Sequence, residues 1–147
     1  MKFKGYARVF NNIDTYRYVT KRGAFSKALD YCDTYPLLLE HRLREDAGIV
    51  TLLRENERGL YIEGELLKDW QCNGLSIGFS IRRSRKRRDG ILELLEIDLW
   101  EISVVRFPAD NLARLEIVEQ NNEKEQKFYK TVLERESLEI QRAYGTR

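Results

Sequence analysis

Residues Gly74–Ile81 alternate without a break: Leu75, Ile77, Phe79 and Ile81 against Ser76, Gly78 and Ser80. A period of two marks a strand with one face on a core. Such a strand cannot stand alone, so the chain must supply a sheet around it. Ser76 then points away from the core, with Gly74 and Gly78 leaving room around it. A strand serine in that setting is usually just solvated; what gives it chemical interest is the rest of the chain.

Other segments have strand or turn character. Residues 2–10 alternate, and Asn11–Asp14 is turn chemistry. Residues 15–22 read as a polar, tyrosine-rich connection. Phe25, Leu29 and Cys32 fall at i, i+4 and i+7, which predicts a short helix from Gly23 to about Asp33. Pro36–Leu39 is a short buried strand leading out to His41. Ile49–Leu53 and Leu60–Leu66 make a hairpin across a polar, glycine-ended joint, and Lys68–Asn73 is short and mixed, with the look of a helical turn.

After the Ser76 strand comes a basic tip, Arg82, Arg83, Arg85, Lys86, Arg87 and Arg88, closed by the turn pair Asp89-Gly90. Ile91–Val105 returns as a strand, with Trp100, Ile102 and Val104 predicted to face inward and Glu101, Ser103 and Val105 outward. Pro108 stops the sheet. Residues 110–118 read as a short tail of the core, and about 122–142 as a weakly amphipathic helix.

The sum is an α+β chain: a mostly antiparallel β-barrel of six or seven strands flanked by a few helices, with a C-terminal helix. Antiparallel pairing is expected because several connections are too short for a crossover, and closure would remove exposed edges. With 147 residues, residues 1–118 are expected to form one domain and 119–147 a charged helix or tail.

Composition limits the chemistry. With 42% hydrophobic and 34% charged residues and a net charge of +2, the chain reads as a polar globular protein, not a surface devoted wholly to nucleic acid. No apolar run approaches the roughly 20 residues of a membrane span. The start, Met1–Gly5, lacks a signal-peptide pattern, so a cytoplasmic location is expected. Two distant cysteines, Cys32 and Cys72, make no disulfide framework. One histidine is too few for a Cys/His zinc site, and neither glycine-rich nucleotide-binding pattern occurs. Any catalysis is expected to use side chains alone, with no metal or cofactor.

A serine nucleophile needs a base, and His41 is the single histidine. Ser76, Ser80 and Ser103 lie on polar strand faces and are the candidate nucleophiles. The imidazole needs an acceptor. Glu101 is attractive, but Glu63, Glu65, Glu96 and Asp98 sit in similar settings, and spacing does not choose among them.

Six pieces then occur in order: Gly5-Tyr6-Ala7 with Val9-Phe10; Gly23-Ala24-Phe25; Pro36-Leu37-Leu38-Leu39-Glu40-His41; Gly59–Gly64; Leu75-Ser76-Ile77-Gly78-Phe79; and Asp98–Val105 with Phe107-Pro108-Ala109. Over residues 3–115 this order resembles the HK97-type prohead maturation proteases of tailed phages. The resemblance implies a fold similar to the herpesvirus assembly protease, a β-barrel ringed by helices. It implies cleavage of scaffolding segments of the major capsid protein, and of the protease itself, inside the prohead in the host cytoplasm. His41 and Ser76 match the family's catalytic pair. Glu101 falls where the herpesvirus enzymes carry a second histidine, and so becomes the expected third member.

Two features depart from the family pattern. Residues 42–49 replace its usual Asp, short gap and Pro-Ile-Gly, and the 82–90 tip is unusually basic. The tip also keeps a second expectation in view: a non-enzymatic assembly or nucleic-acid-binding protein, using Arg82, Arg83, Arg85, Lys86, Arg87 and Arg88, with self-association as a homodimer.

Overall fold

A computed structural model describes residues 1–32, 34–119 and 123–144. Asp33, where the first helix was expected to end, and residues 120–122 and 145–147 of the charged tail lie outside that set.

The chain runs β1 (Lys2–Val9), β2 (Tyr18–Thr20), α1 (Ser26–Tyr31), β3 (Leu37–Leu39), β4 (Asp46–Glu55), β5 (Gly59–Leu66), β6 (Gly74–Lys86), β7 (Leu92–Val105), β8 (Leu115–Glu119) and α2 (Glu123–Tyr144). All eight strands belong to one sheet. Its inner face is filled by Phe3, Ala7, Leu37, Leu60, Ile62, Leu75, Ile77, Leu94, Ile97, Ile102 and Val104, with Phe25 fully buried beside them at the start of α1. Glu55 fixes that helix start, accepting from the Phe25 and Gly23 backbone N–H groups at 2.8 and 3.2 Å. Among the described residues no helix is long and apolar enough to cross a membrane.

The expected antiparallel barrel is corrected in two respects. The sheet is mixed: β1–β5, β1–β8, β3–β4, β4–β5 and β6–β7 are antiparallel, but β2 and β3 both run parallel to β7. Short connections constrain only strands adjacent in sequence. Strands β2 and β3 meet β7 from far along the chain, so connection length does not set their direction. The sheet is also unclosed. The start of β6 is stitched to the segment before β8 by an isolated bridge, Gly74 with Arg114. From Ser76 onward the outer edge of β6 pairs with no strand among the described residues. β8 has five residues against thirteen in β6, too few to cover that edge.

Strands β2 and β8 arise where the sequence reads as connection and core tail, and residues 68–73 hold no helix. The charged helix is present as α2. It meets the sheet through buried Leu133 and through Ser137 Oγ, 3.2 Å from Asp46 Oδ2.

Strand β7 organises the functional region. It pairs with β6 along its whole length, Ser76 facing Ser103 and Gly78 facing Glu101. Its other edge takes β2 near the start and β3 near the end, Leu38 facing Ser103. A bulge opposite Gly78 and Phe79 leaves Trp100 unpaired. Trp100 therefore turns outward, 59% exposed, and donates its Nε1–H to Ser80 Oγ at 2.8 Å. Glu101 and Ser103, expected on the wet face, are buried instead.

Candidate active site

Three neighbouring strands deliver the three expected side chains to one place. Ser76 stands on β6. Glu101 stands on β7, two pairs further along the ladder. His41 follows the end of β3, on the far side of β7. His41 Nε2 lies 3.0 Å from Ser76 Oγ, and Nδ1 is hydrogen-bonded to Glu101 Oε1. A carboxylate acceptor opposite Nδ1 favours the tautomer that carries its proton there and donates it to Glu101, which leaves Nε2 as the acceptor for the serine proton.

The loop that carries His41 is conformationally unusual. Glu40 and His41 have φ of 50° and 58°, and Arg44 has 75°. Non-glycine residues in this left-handed region cost roughly 1–3 kcal/mol each, so surrounding bonds must hold them. Glu40 N–H donates to Val104 O at 3.0 Å, and Leu39 N–H to Glu45 O at 2.8 Å. His41 N–H donates to Ser103 Oγ at 3.1 Å, and Ser103 Oγ–H donates to Glu101 Oε2 at 2.6 Å.

Gly78 makes space for the carboxylate. A Cβ there would stand 2.6 Å from Glu101 Oε1 and 2.9 Å from its Cγ. The His41 imidazole is held above its ordinary value of 6.5 chiefly by the hydrogen bond to Glu101; the charges of Glu101 and Glu40 act in the same sense and burial opposes them.

His41 and Ser76 open onto a cleft of about 570 Å³. Ile77, Gly78 and Phe79 of β6 form one side, and Phe107, Pro108 and Ala109 another. Its far wall is the 14–16 turn. That turn is anchored by Asp14, which accepts from Tyr16 and Tyr18 N–H and pairs with buried Arg8 Nη2 at 2.5 Å.

The competing candidates are engaged elsewhere. Ser80 serves Trp100, and Ser103 is fully buried. Glu63 accepts from Tyr61 Oη, Glu65 lies 3.5 Å from the Met1 amino group, Glu96 pairs with Lys27, and Asp98 with Arg82. In the basic tip, Arg82, Arg85 and Arg87 pair with Asp98, Glu93 and Asp89. Arg83, Lys86 and Arg88 have no ion pair among the described residues, and none of the six reaches the His41–Ser76 contact. No group of three or more His, Cys, Asp or Glu side chains suited to a metal ion occurs among the described residues.

Sequence reasoning did not find the bridging place of Ser103 or the steric role of Gly78 toward Glu101. The available signal was the i, i+2 spacing of Glu101 and Ser103, which puts both on one strand face.

The fold is that of the herpesvirus protease class. The chain superposes on the crystal structure of KSHV protease in complex with a hexapeptide phosphonate inhibitor with a TM-score of 0.55, covering 90% of this chain and 75% of that one at 9% identity. The chain belongs to the caudovirus prohead serine protease family, whose profile matches residues 1–128. It is 31% identical over 129 residues to the prohead protease of Enterobacteria phage HK97, a match that takes in 76% of this chain and 57% of that protein. The chain thus spans little more than half the length of that relative.

Proposed function

We propose that this chain is a serine endopeptidase that cleaves the scaffolding segment of the phage major capsid protein, and itself, during prohead maturation inside the assembling shell in the host cytoplasm. The observation that carries the reading is the contact of Ser76 Oγ with His41 Nε2 at 3.0 Å while Nδ1 is held by Glu101, in a family of prohead serine proteases. His41 takes the proton from Ser76 Oγ as the oxygen attacks the scissile carbonyl. Glu101 orients the ring and stabilises the imidazolium. The proton then passes to the leaving amine, and water releases the acyl group by the same route. Backbone N–H groups stabilise the oxyanion; the turn at 106–110 is one place to look for them, its residues 107–109 bordering the cleft while Arg106 N–H is engaged by Glu40 Oε1.

The open edge of β6 offers unpaired main-chain groups beside Ser76. An extended capsid segment adds there as a further strand, main-chain bonds giving affinity and the cleft giving selection. In this reading residues 1–118 hold the whole catalytic unit and 119–147 are a charged helix or tail appended to it.

Fluorophosphonate labelling mapped by peptide mass spectrometry tests the assignment. The expected result is an adduct on Ser76 that is absent in His41→Ala, and loss of capsid-protein cleavage in Ser76→Ala with the fold intact. An adduct on Ser80 or Ser103 refutes the nucleophile. Wild-type cleavage activity in Ser76→Ala refutes the mechanism.

A further inference from the structure

Ser103 is fully buried, with its hydroxyl between the two partners that decide how His41 works. A hydroxyl has one proton to donate and two acceptor sites. Here the proton goes to Glu101 Oε2, 2.6 Å away, and one acceptor site takes the His41 backbone N–H at 3.1 Å. Glu101 Oε1 in turn holds His41 Nδ1. The bonds form a closed circuit: His41 backbone to Ser103, Ser103 to Glu101, Glu101 back to the ring of the same histidine.

We infer that Ser103 is a positioning residue of the site, one hydroxyl fixing both the Glu101 carboxylate and the backbone of the His41 loop so that Nε2 stays aimed at Ser76. The inference rests on the reading of Ser76 and His41 given above, and it follows from the shape of the loop. His41 rides on left-handed backbone, Glu40 and His41 in succession. With the Ser103 bond removed, His41 N–H loses its acceptor and Glu101 can rotate away from the ring. The register makes the arrangement possible, because Ser103 lies directly across from Ser76 on the neighbouring strand and faces Leu38 of β3 on the other side. Ser103 is no second nucleophile, since its proton is directed at a carboxylate and no solvent reaches it.

The test uses the full chain with Ser103→Ala, Ser103→Cys and Ser103→Thr. Cysteine keeps nearly the same volume with a weak donor and acceptor, so it separates packing from hydrogen bonding if the alanine variant does not fold. Threonine restores the hydroxyl. Two readouts are taken: the saturable rate of Ser76 phosphonylation, and the low-field proton resonance of His41 Nδ1. Alanine and cysteine are expected to lower the maximal phosphonylation rate on the order of 10- to 100-fold, the scale of a small misplacement of a reacting group. Half-saturation is expected to stay unchanged, the Nδ1 resonance to shift or broaden away, and threonine to recover both. Wild-type rate and an unshifted resonance in alanine or cysteine would overturn the inference, as would a threonine variant that folds without recovery. Should the wild-type chain take no adduct on Ser76, the nucleophile assignment fails, while the resonance still reports whether Ser103 holds the Glu101–His41 pair.

Discussion

At Gly78 a single methyl group decides whether Glu101 can reach His41. The nearest atoms to an added Cβ are the Glu101 carboxylate and its stem, and the carboxylate is confined by Ser103 on its other oxygen. Gly78→Ala is expected to push Glu101 off Nδ1 and lower the phosphonylation rate about 10- to 100-fold, with a circular-dichroism spectrum close to wild type. A wild-type rate would show that the carboxylate does not need its present seat. The same seat sets the pH dependence. In the proposed mechanism His41 must be neutral to accept the serine proton, and its value is raised, chiefly by the Glu101 hydrogen bond and further by the Glu101 and Glu40 charges. The acid limb of kcat/KM against pH is therefore expected above 6.5, activity rising as pH climbs through the raised value. Removing one negative charge lowers that value, so Glu40→Gln moves the limb toward lower pH; a limb that stays still or moves up counts against it. The linkage to stability has the opposite sense. A raised histidine contributes stability in full below its unfolded value of about 6.5 and loses it as pH rises through the folded value.

Elements differ in how plainly their residues announce them. Strands β1, β5 and β6 are legible because alternation runs for about eight residues, and β4 and β7 because polar turns join them to β5 and β6 as hairpin partners. Strands β2 and β8 are not, since three to five residues carry too little period to separate a strand from a loop. Direction and closure of the sheet were also hidden, because β2 and β3 are placed by packing against a strand far along the chain. Residue types narrowed the candidate site to one histidine, three strand serines and five carboxylates, and the order of pieces shared with the family chose Ser76 and Glu101 among them. Which carboxylate meets the histidine depends on register, Gly78 opposite Glu101, and on the bulge that turns Trp100 out and Glu101 in. The basic end of the ribbon is a separate matter. Three of its six cations are already paired, and the ribbon carries them away from the cleft. Changing Arg83, Lys86 and Arg88 together to Gln is expected to leave Ser76 phosphonylation within about twofold, since exposed charges act weakly at a distance in salt. A large, salt-dependent loss would favour a binding role for the ribbon instead.

Across the whole molecule, the proposed catalytic unit and the C-terminal helix are joined by few contacts. The groups in the hydrogen-bond circuit lie on β7 and the loop after β3, with Ser76 beside them on β6. The helix α2 instead rests beside the start of β4, its Leu133, Ser137 and Leu138 facing Asp46 and Leu67 across a shared cavity, with Leu133 as its buried anchor. Much of its remaining apolar surface is exposed, Phe128 at 63% and Ile140 at 55%. An element held, among the described residues, by one fully buried side chain, the half-buried Tyr129 and Val132 and the Ser137–Asp46 hydrogen bond opens at lower free energy than the sheet beneath it. Truncating a buried leucine to alanine removes about 2 kcal/mol or more in a well-packed core, which is a large part of what such a contact supplies. Leu133→Ala is therefore expected to release α2 while the sheet stays folded. Limited proteolysis would then cut within the helix at protease concentrations that leave the wild-type helix whole, and Ser76 would still be phosphonylated at the wild-type rate. Loss of labelling in step with helix release would mean that α2, through Asp46 and the loop that precedes it, also braces His41, and that the catalytic unit does not end at residue 118.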